Sequence, residues 1–304
     1  MGSMIGLSID KHKLRAAIVT DGGSFVCEEC CDSPQDSYRE TLIAIRGLID
    51  SMPSHSGGGK PLGVAIPGSF QDGSVVHSPL PHLNGKDIRQ DLQAALGREI
   101  HISNIGDSFT FYEAHHGQAN DGDTVFGMFI DATCHGGLVI NGNVLRGKNG
   151  IAGNWAHLPL PSPVPYELDG QDCWCGRTGC IETFLSSTGF EDDYFKITET
   201  HQSAAQIAAA AAQGDIVAMS SLQVLEDRLG RTTAALINII DPDVIVLGGM
   251  VGSLERLMSN VPRKWPGYVI ARRPTTRLLA SSNSEQAVLA GAALLASNES
   301  AMIL

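Results

Sequence analysis

The sequence lacks any uninterrupted apolar run near the ~20 residues that a membrane-crossing helix requires, so no membrane partner is expected. Basic clusters are equally scarce. Lys and Arg number 21 against 33 Asp and Glu, giving a formal charge of −12, and the densest basic spots are Lys11-His12-Lys13 and Arg272-Arg273. A surface of that sign repels phosphate backbones, so no nucleic-acid partner is expected. A disulfide framework is missing too: the seven cysteines cannot all pair, and three crowd at Cys27, Cys30 and Cys31. Reduced thiols in a cytoplasmic protein, some of them holding a metal, fit this usage better. The opening MGSMIGLSID has no cationic stretch followed by a cleavage site, and no secretory signal is expected.

Hydrophobic residues make up 43% of the chain and charged ones 18%, the balance of a globular protein. At 304 residues a single core gives way to two lobes. Alternation from Met4 to Thr20 predicts a strand, Asp21-Gly22-Gly23 a hairpin turn, and Ser24 to Cys31 a second strand. Helical spacing marks 37–52, and a flexible Ser56-Gly57-Gly58-Gly59 loop leads to a buried strand over 62–66 that stops at Pro67-Gly68. Further on, 87–96 and 108–116 predict helices around a short strand at 100–103. The polar stretch 118–123 places the boundary between an N-terminal lobe, 4–118, and a C-terminal lobe, 119–304. In the second lobe, strands at 125–130 and 138–140, the hairpin signal Asn141-Gly142, helices at 203–213 and 216–240, a strand at 244–247 and a terminal helix at 284–296 follow. That helix is expected to return to the first lobe. Repetition of strand hairpin, helix and strand in each half predicts a duplicated α/β architecture with a ligand cleft between the lobes.

The most specific signal is Cys173-Trp-Cys175-Gly-Arg-Thr-Gly-Cys180, three thiols in eight residues with glycines that let the backbone wrap a small ion. Zinc takes four tetrahedral sulfur or nitrogen ligands, and His157 on the preceding segment supplies the fourth. Four protein ligands leave no position for water, which assigns Zn2+ a structural role. Trp155 ahead of the motif and Trp174 within it are read as packing for it, with stacking on a sugar as the alternative.

These residues, with those around them, resemble the ROK family of sugar kinases, particularly its bacterial fructokinase-like members. The family carries G-E-x-G-H and then C-x-C-G-x-x-G-C-x-E; this chain has Gly153-Asn154-Trp155-Ala156-His157 and then Cys173 to Glu182. Ile66-Pro67-Gly68, Asn141-Gly142, the run from Ile240 to Gly249 and Gly291-Ala292-Ala293 extend the likeness over essentially the whole chain. It implies the two-lobed, actin-like ATPase fold, zinc beside the sugar pocket, a homodimer, and a carbohydrate ligand held by Gly68, Asn104, His157 and Glu182, with Asn154 where the family has a sugar-gripping glutamate.

The chemical positions depart from that pattern. The family's D-I-G-G-T-K phosphate loop is here Ser8-Ile9-Asp10-Lys11-His12-Lys13, and its G-T-G loop is Asp131-Ala132-Thr133-Cys134-His135. Two carboxylates replace glycines where a triphosphate would lie. Like charges at ~4 Å repel by ~4 kcal/mol at an effective dielectric of 20, so ATP with Mg2+ is not expected. The family's Asn-Asp pair, whose aspartate deprotonates the sugar hydroxyl, is Asn104-Ile105, and isoleucine accepts no proton. Asp10, His12, Asp107, Asp131 and His135 then become the candidate catalytic groups of a repurposed cleft, for instance one that hydrolyses a glycoside. Three classes stay open: a non-kinase carbohydrate enzyme, a ligand-binding pseudokinase, and a working fructokinase or hexokinase.

Overall fold

The computed structural model describes residues 3–53, 61–71, 73–298 and 301–303. The expected Ser56-Gly57-Gly58-Gly59 loop lies outside them. The first lobe begins with an antiparallel meander, β1 (Ser3–Ile9), β2 (Lys13–Thr20) and β3 (Phe25–Asp32). The alternation from Met4 to Thr20 therefore covers two strands. They part where the Asp10 carboxylate accepts the backbone N–H groups of His12 at 2.7 Å and Lys13 at 2.8 Å, the local turn that a short acidic side chain builds.

Helix α1 (Tyr38–Ser51) is capped by Ser37, and β4 (Leu62–Ile66) then runs parallel to β1. A small hairpin of β5 (Ser69–Gln71) and β6 (Ser74–Val76) precedes α2 (Ile88–Leu96), which Asp87 caps and Gly97 ends at φ 64°. Strand β7 (Ile100–Asn104) completes a sheet of order β3-β2-β1-β4-β7. Helix α3 (Ile105–His115) starts three residues before the sequence-based expectation. The cause is local: the Asn104 side chain accepts the Asp107 N–H at 2.7 Å and nucleates the first turn.

The second lobe repeats the theme with β8 (Thr124–Ile130), β9 (Cys134–Ile140) and β10 (Asn143–Leu145). Asn141 and Gly142 take φ values of 49° and 76°, the paired left-handed conformation that a two-residue hairpin requires. Helices α4 (Glu182–Leu185), α5 (Ser187–Thr198), α6 (Ala204–Ala212) and α7 (Ile216–Ile240) follow. They lead to β11 (Val244–Gly248), α8 (Gly249–Gly252), α9 (Arg256–Asn260), β12 (Arg277–Ala280), α10 (Ser284–Ser297) and β13 (Met302–Ile303). The second sheet has the order β12-β11-β8-β9-β10-β13.

Two helices lie between the sheets. Helix α10 packs on β1 and β4, α3 packs on β8 and β9, and the two helices pack on each other. Glycine sets the closeness of that contact. A Cβ on Gly63 would fall 1.8 Å from the Ala292 carbonyl oxygen, and one on Gly291 would fall 1.8 Å from that of Ser108. A continuous apolar cluster joins Ala17 and Val19 of the first sheet to Val125 and Val246 of the second through Leu289 and Ala293. The cleft thus opens between sheets that share this helical spine, with the β4, β7 and β9 ends at its mouth. No helix of the described residues is long and apolar enough to cross a membrane.

Candidate functional site

The metal motif follows β10 and closes before α4. Backbone bonds from Cys173 N–H to Arg177 at 2.8 Å and from Gly176 N–H to Cys173 at 2.9 Å curl it into a tight loop, with Gly176 at φ 84° and Gly179 at φ 73°. One donor atom from each of His157, Cys173, Cys175 and Cys180 lies within 4.8 Å of the other three. The Cys175 and Cys180 sulfurs are 3.6 Å apart, and Cys173 Sγ is 3.5 Å from His157 Nδ1. Zinc bonds of ~2.3 Å to sulfur and ~2.0 Å to nitrogen at tetrahedral angles place donors about 3.5–3.8 Å apart, so these four residues fit the ion. When bound, zinc would pin the loop as a structural ligand.

A buried ionic cluster fixes the segment ahead of the loop. Glu167 accepts from Arg228 Nε at 2.8 Å and from Arg231 Nη2 at 2.9 Å, and Arg228 also pairs with Asp193. The two arginines hold the Glu167 carboxyl below the usual carboxylate range against the opposing effect of burial. Both arginines belong to α7, so this cluster ties the loop to the longest helix of the lobe.

Gly68 after β4, Asn104 at the end of β7, and Asn154 and His157 on the segment after β10 line one interlobe cavity. His77, His135 and Trp174 complete its polar and aromatic wall. Glu182 lines an adjoining cavity with Lys11, Thr133 and Ser186, which meets the first at Pro79 and Trp174. Its carboxylate accepts the Cys134 N–H at 2.9 Å and the Trp174 indole N–H, and burial raises its pKa to about 7. Trp174 lines both cavities.

Asp10, His12, Asp131 and His135 share a third cavity with Ser8 and Ile105. There the two acidic side chains act on their own backbone. Asp10 caps the His12 and Lys13 N–H groups as described, and Asp131 accepts the Ala132 N–H at 2.8 Å and the Met250 N–H at 3.4 Å. His135 lies at the junction of the sugar-side and loop-side cavities, with Nε2 2.8 Å from Thr133 Oγ1. Burial, with a smaller effect from His157, lowers its pKa to about 3, so the imidazole is neutral at pH 7.

Asp107 sits behind Asn104, at 4% exposure. Its Oδ2 accepts Asn104 Nδ2 at 2.7 Å, while Oδ1 has no hydrogen-bond partner among the described residues. Burial raises its pKa to about 7 against the pull of Arg146. Sequence reasoning did not place His77 in the cleft, and no motif marks it; it read Trp174 as packing, although its position inside the metal motif was the available signal.

The ROK family profile matches residues 4–299. The chain belongs to the ROK family. A curated relative of this ROK protein, the N-acetyl-D-glucosamine kinase of Vibrio atlanticus, is 28% identical over 296 residues, with 95% of this chain and 98% of the relative covered. Among solved structures, a ROK family glucokinase from Streptomyces griseus in complex with glucose and AMPPNP is similar at a TM-score of 0.84 and 23% identity, covering 98% of this chain and 100% of that one. A ROK family transcriptional regulator, homologous to the E. coli MLC protein, is similar at a TM-score of 0.82 and 23% identity, covering 97% of this chain and 78% of that one. The two-lobed α/β fold with a Cys/His metal site expected from the sequence is thus the fold of this ROK member.

Proposed function

We propose that this protein binds a sugar in the interlobe cavity and does not transfer phosphate by the machinery that the family motif describes. The observation carrying the proposal is that both phosphate-loop positions carry carboxylates that accept the loops' own backbone N–H groups. Asp10 and Asp131 accept backbone N–H groups at 2.7–2.8 Å, which are thereby committed within the loops. A triphosphate would have to displace both carboxylates and meet their charge, at ~4 kcal/mol for each close pair, with Lys11, Lys13 and Arg15 of the same cavity acting in the opposite direction. The neighbouring side chain at the base position is Ile105, which has no proton-accepting atom. Meanwhile Asn104, Asn154 and His157 keep polar groups in the sugar-side cavity.

Glycoside hydrolysis draws less support from the arrangement than the sequence suggested. Asp10 and Asp131 serve as backbone caps in the loop-side cavity, so neither is a free carboxylate flanking a sugar in the cavity of Asn104 and His157.

A second reading, ATP-dependent sugar phosphorylation, is favoured by the relatives. The Vibrio atlanticus relative is named a kinase, and the Streptomyces griseus glucokinase structure holds a nucleotide analogue with glucose. These likenesses run against the expectation that ATP is not a ligand. On this reading another group takes the sugar proton; Asp107, bonded to Asn104, and His135, at the junction of the two cavities, are the titratable candidates.

A coupled assay with Mg-ATP and either glucose or N-acetyl-D-glucosamine separates the readings. Sugar binding by calorimetry without ADP formation supports the first. Stoichiometric ADP and sugar phosphate would overturn it in favour of the second.

A further inference from the structure

We propose that the groove between α5 and α7 is a second ligand site, shaped for an uncharged, largely apolar molecule with one carbonyl acceptor, and that its occupancy steadies the metal loop. The inference does not depend on what the interlobe cavities bind.

Helical spacing makes the groove. Phe190, Asp193 and Ile197 recur at i, i+3 and i+7 on α5, as do Ser221, Val224 and Arg228 on α7, so each helix turns one face to the other. Phe184 of α4 and Tyr166 complete the apolar wall. The cavity encloses about 320 Å³, whereas the sugar-side cavity encloses about 40 Å³, and the two share no lining residue. The larger volume is of the size that holds small organic molecules. Tyr166 and Ile197 remain 70% and 66% exposed, so the mouth is open and apolar.

The polar end is fixed by Arg228, which is 4% exposed. Its guanidinium lies over the Phe184 ring at 4.9 Å, with Nε donating to Glu167 and Nη1 to Asp193. Nη2 makes no hydrogen bond among the described residues, which leaves a donor for a guest. The charges of the lining cancel: Lys196 and Arg228 stand against Asp169 and Asp193. Asp193 takes Arg228 on one oxygen and Lys196, at 3.3 Å, on the other. A carboxylate guest would meet Asp169 and Asp193, and an ammonium guest would meet Lys196 and Arg228, each after losing hydration. An amide or ketone oxygen accepts from Nη2 without adding charge, and the rings take its apolar body.

The groove also reaches the metal loop. Gly170 and Gln171 line it, and the Gln171 carbonyl accepts the Gly179 N–H at 2.9 Å, while Asp172 and Thr178 form an antiparallel bridge. A guest that holds 170–171 in place therefore holds the backbone partner of the segment that ends in Cys180.

The experiment titrates phenylacetamide, phenylacetate and phenethylammonium, followed by NMR, into the zinc-loaded parent, into Val224→Phe, which fills the groove, and into Ile197→Trp, which caps its mouth. Phenylacetamide should saturate the parent in the millimolar range and bind at least about tenfold more tightly than either charged analogue. Each variant should weaken it at least about tenfold, and should Val224→Phe fail to fold by circular dichroism, the substitution at exposed Ile197 carries the comparison. Zinc affinity, read by competition with a chelator, should rise at least about threefold in saturating phenylacetamide for the parent and stay unchanged for Val224→Phe. No saturable binding of phenylacetamide, a charged analogue that binds as well as the amide, or unweakened binding in a folded variant overturns the site. A parent zinc affinity that does not respond to saturation overturns its link to the loop.

Discussion

Replacing Asp107 with asparagine should make the protein less sensitive to alkaline conditions. The carboxyl is 4% exposed, and burial raises its pKa from 3.8 to about 7. The folded state therefore holds this proton more tightly than the unfolded chain does. The associated stability is fully present below the unfolded value and is lost as pH rises towards 7. A tenfold change in proton affinity corresponds to about 1.36 kcal/mol, so the whole penalty amounts to about 4 kcal/mol once the group is ionised in both states, and roughly 2–3 kcal/mol of it falls between pH 5 and pH 8. Asparagine keeps an oxygen to accept the Asn104 Nδ2 bond and removes the titration. Urea unfolding of parent and variant at pH 5 and pH 8 should show the variant gaining on the parent by that amount. For a chain of this length the gain corresponds to about 4 °C in melting temperature. A difference between the two proteins that is the same at both pH values would rule this out, because it would place the folded-state pKa near its ordinary range.

Gly63→Ala should destabilise the protein by about 3 kcal/mol in urea melts, since the new methyl would meet the Ala292 carbonyl at 1.8 Å and push α10 off β4. Cys175→Ser should lower zinc from about one ion per chain to well below that after dialysis, read by metal analysis, because a hydroxyl is a poor substitute for the thiolate. Arg228→Met should cost about 3 kcal/mol by the same melts, as it takes the guanidinium from Asp193 and leaves the buried Glu167 carboxylate with Arg231 as its one guanidinium partner.

The parts of the molecule legible from sequence are those whose signal is local. The boundaries of α7 match the reading of 216–240 because Asp215 caps one end and Asp241, in the left-handed region at φ 51°, closes the other. The metal ligands were legible because a dense thiol loop has few other physical uses. The turn at Asp10–His12 was lost inside a continuous alternation, since nothing in the hydrophobic pattern registers a carboxylate folding back on its own N–H groups. Asn104 was read for its place in a kinase motif, and its role as a helix cap went unread, which displaced the start of α3. Helix α5 and strand β12 were passed over, the latter because only Leu278 of its four residues is buried. The bond from the Trp174 indole N–H to Glu182 depends on where the ring turns, and side-chain direction along the metal loop is not written in spacing.

If the chain's own carboxylates occupy the phosphate loops, Mg-ATP should find no seat there, and titrating it into the zinc-loaded protein by calorimetry, with and without glucose, checks this without intermediaries. The expected result is no saturable heat up to millimolar nucleotide, and a weak response that first emerges when Asp10→Gly frees the His12 and Lys13 N–H groups. Saturable micromolar binding of Mg-ATP to the unaltered protein would show that the loops still accept a triphosphate.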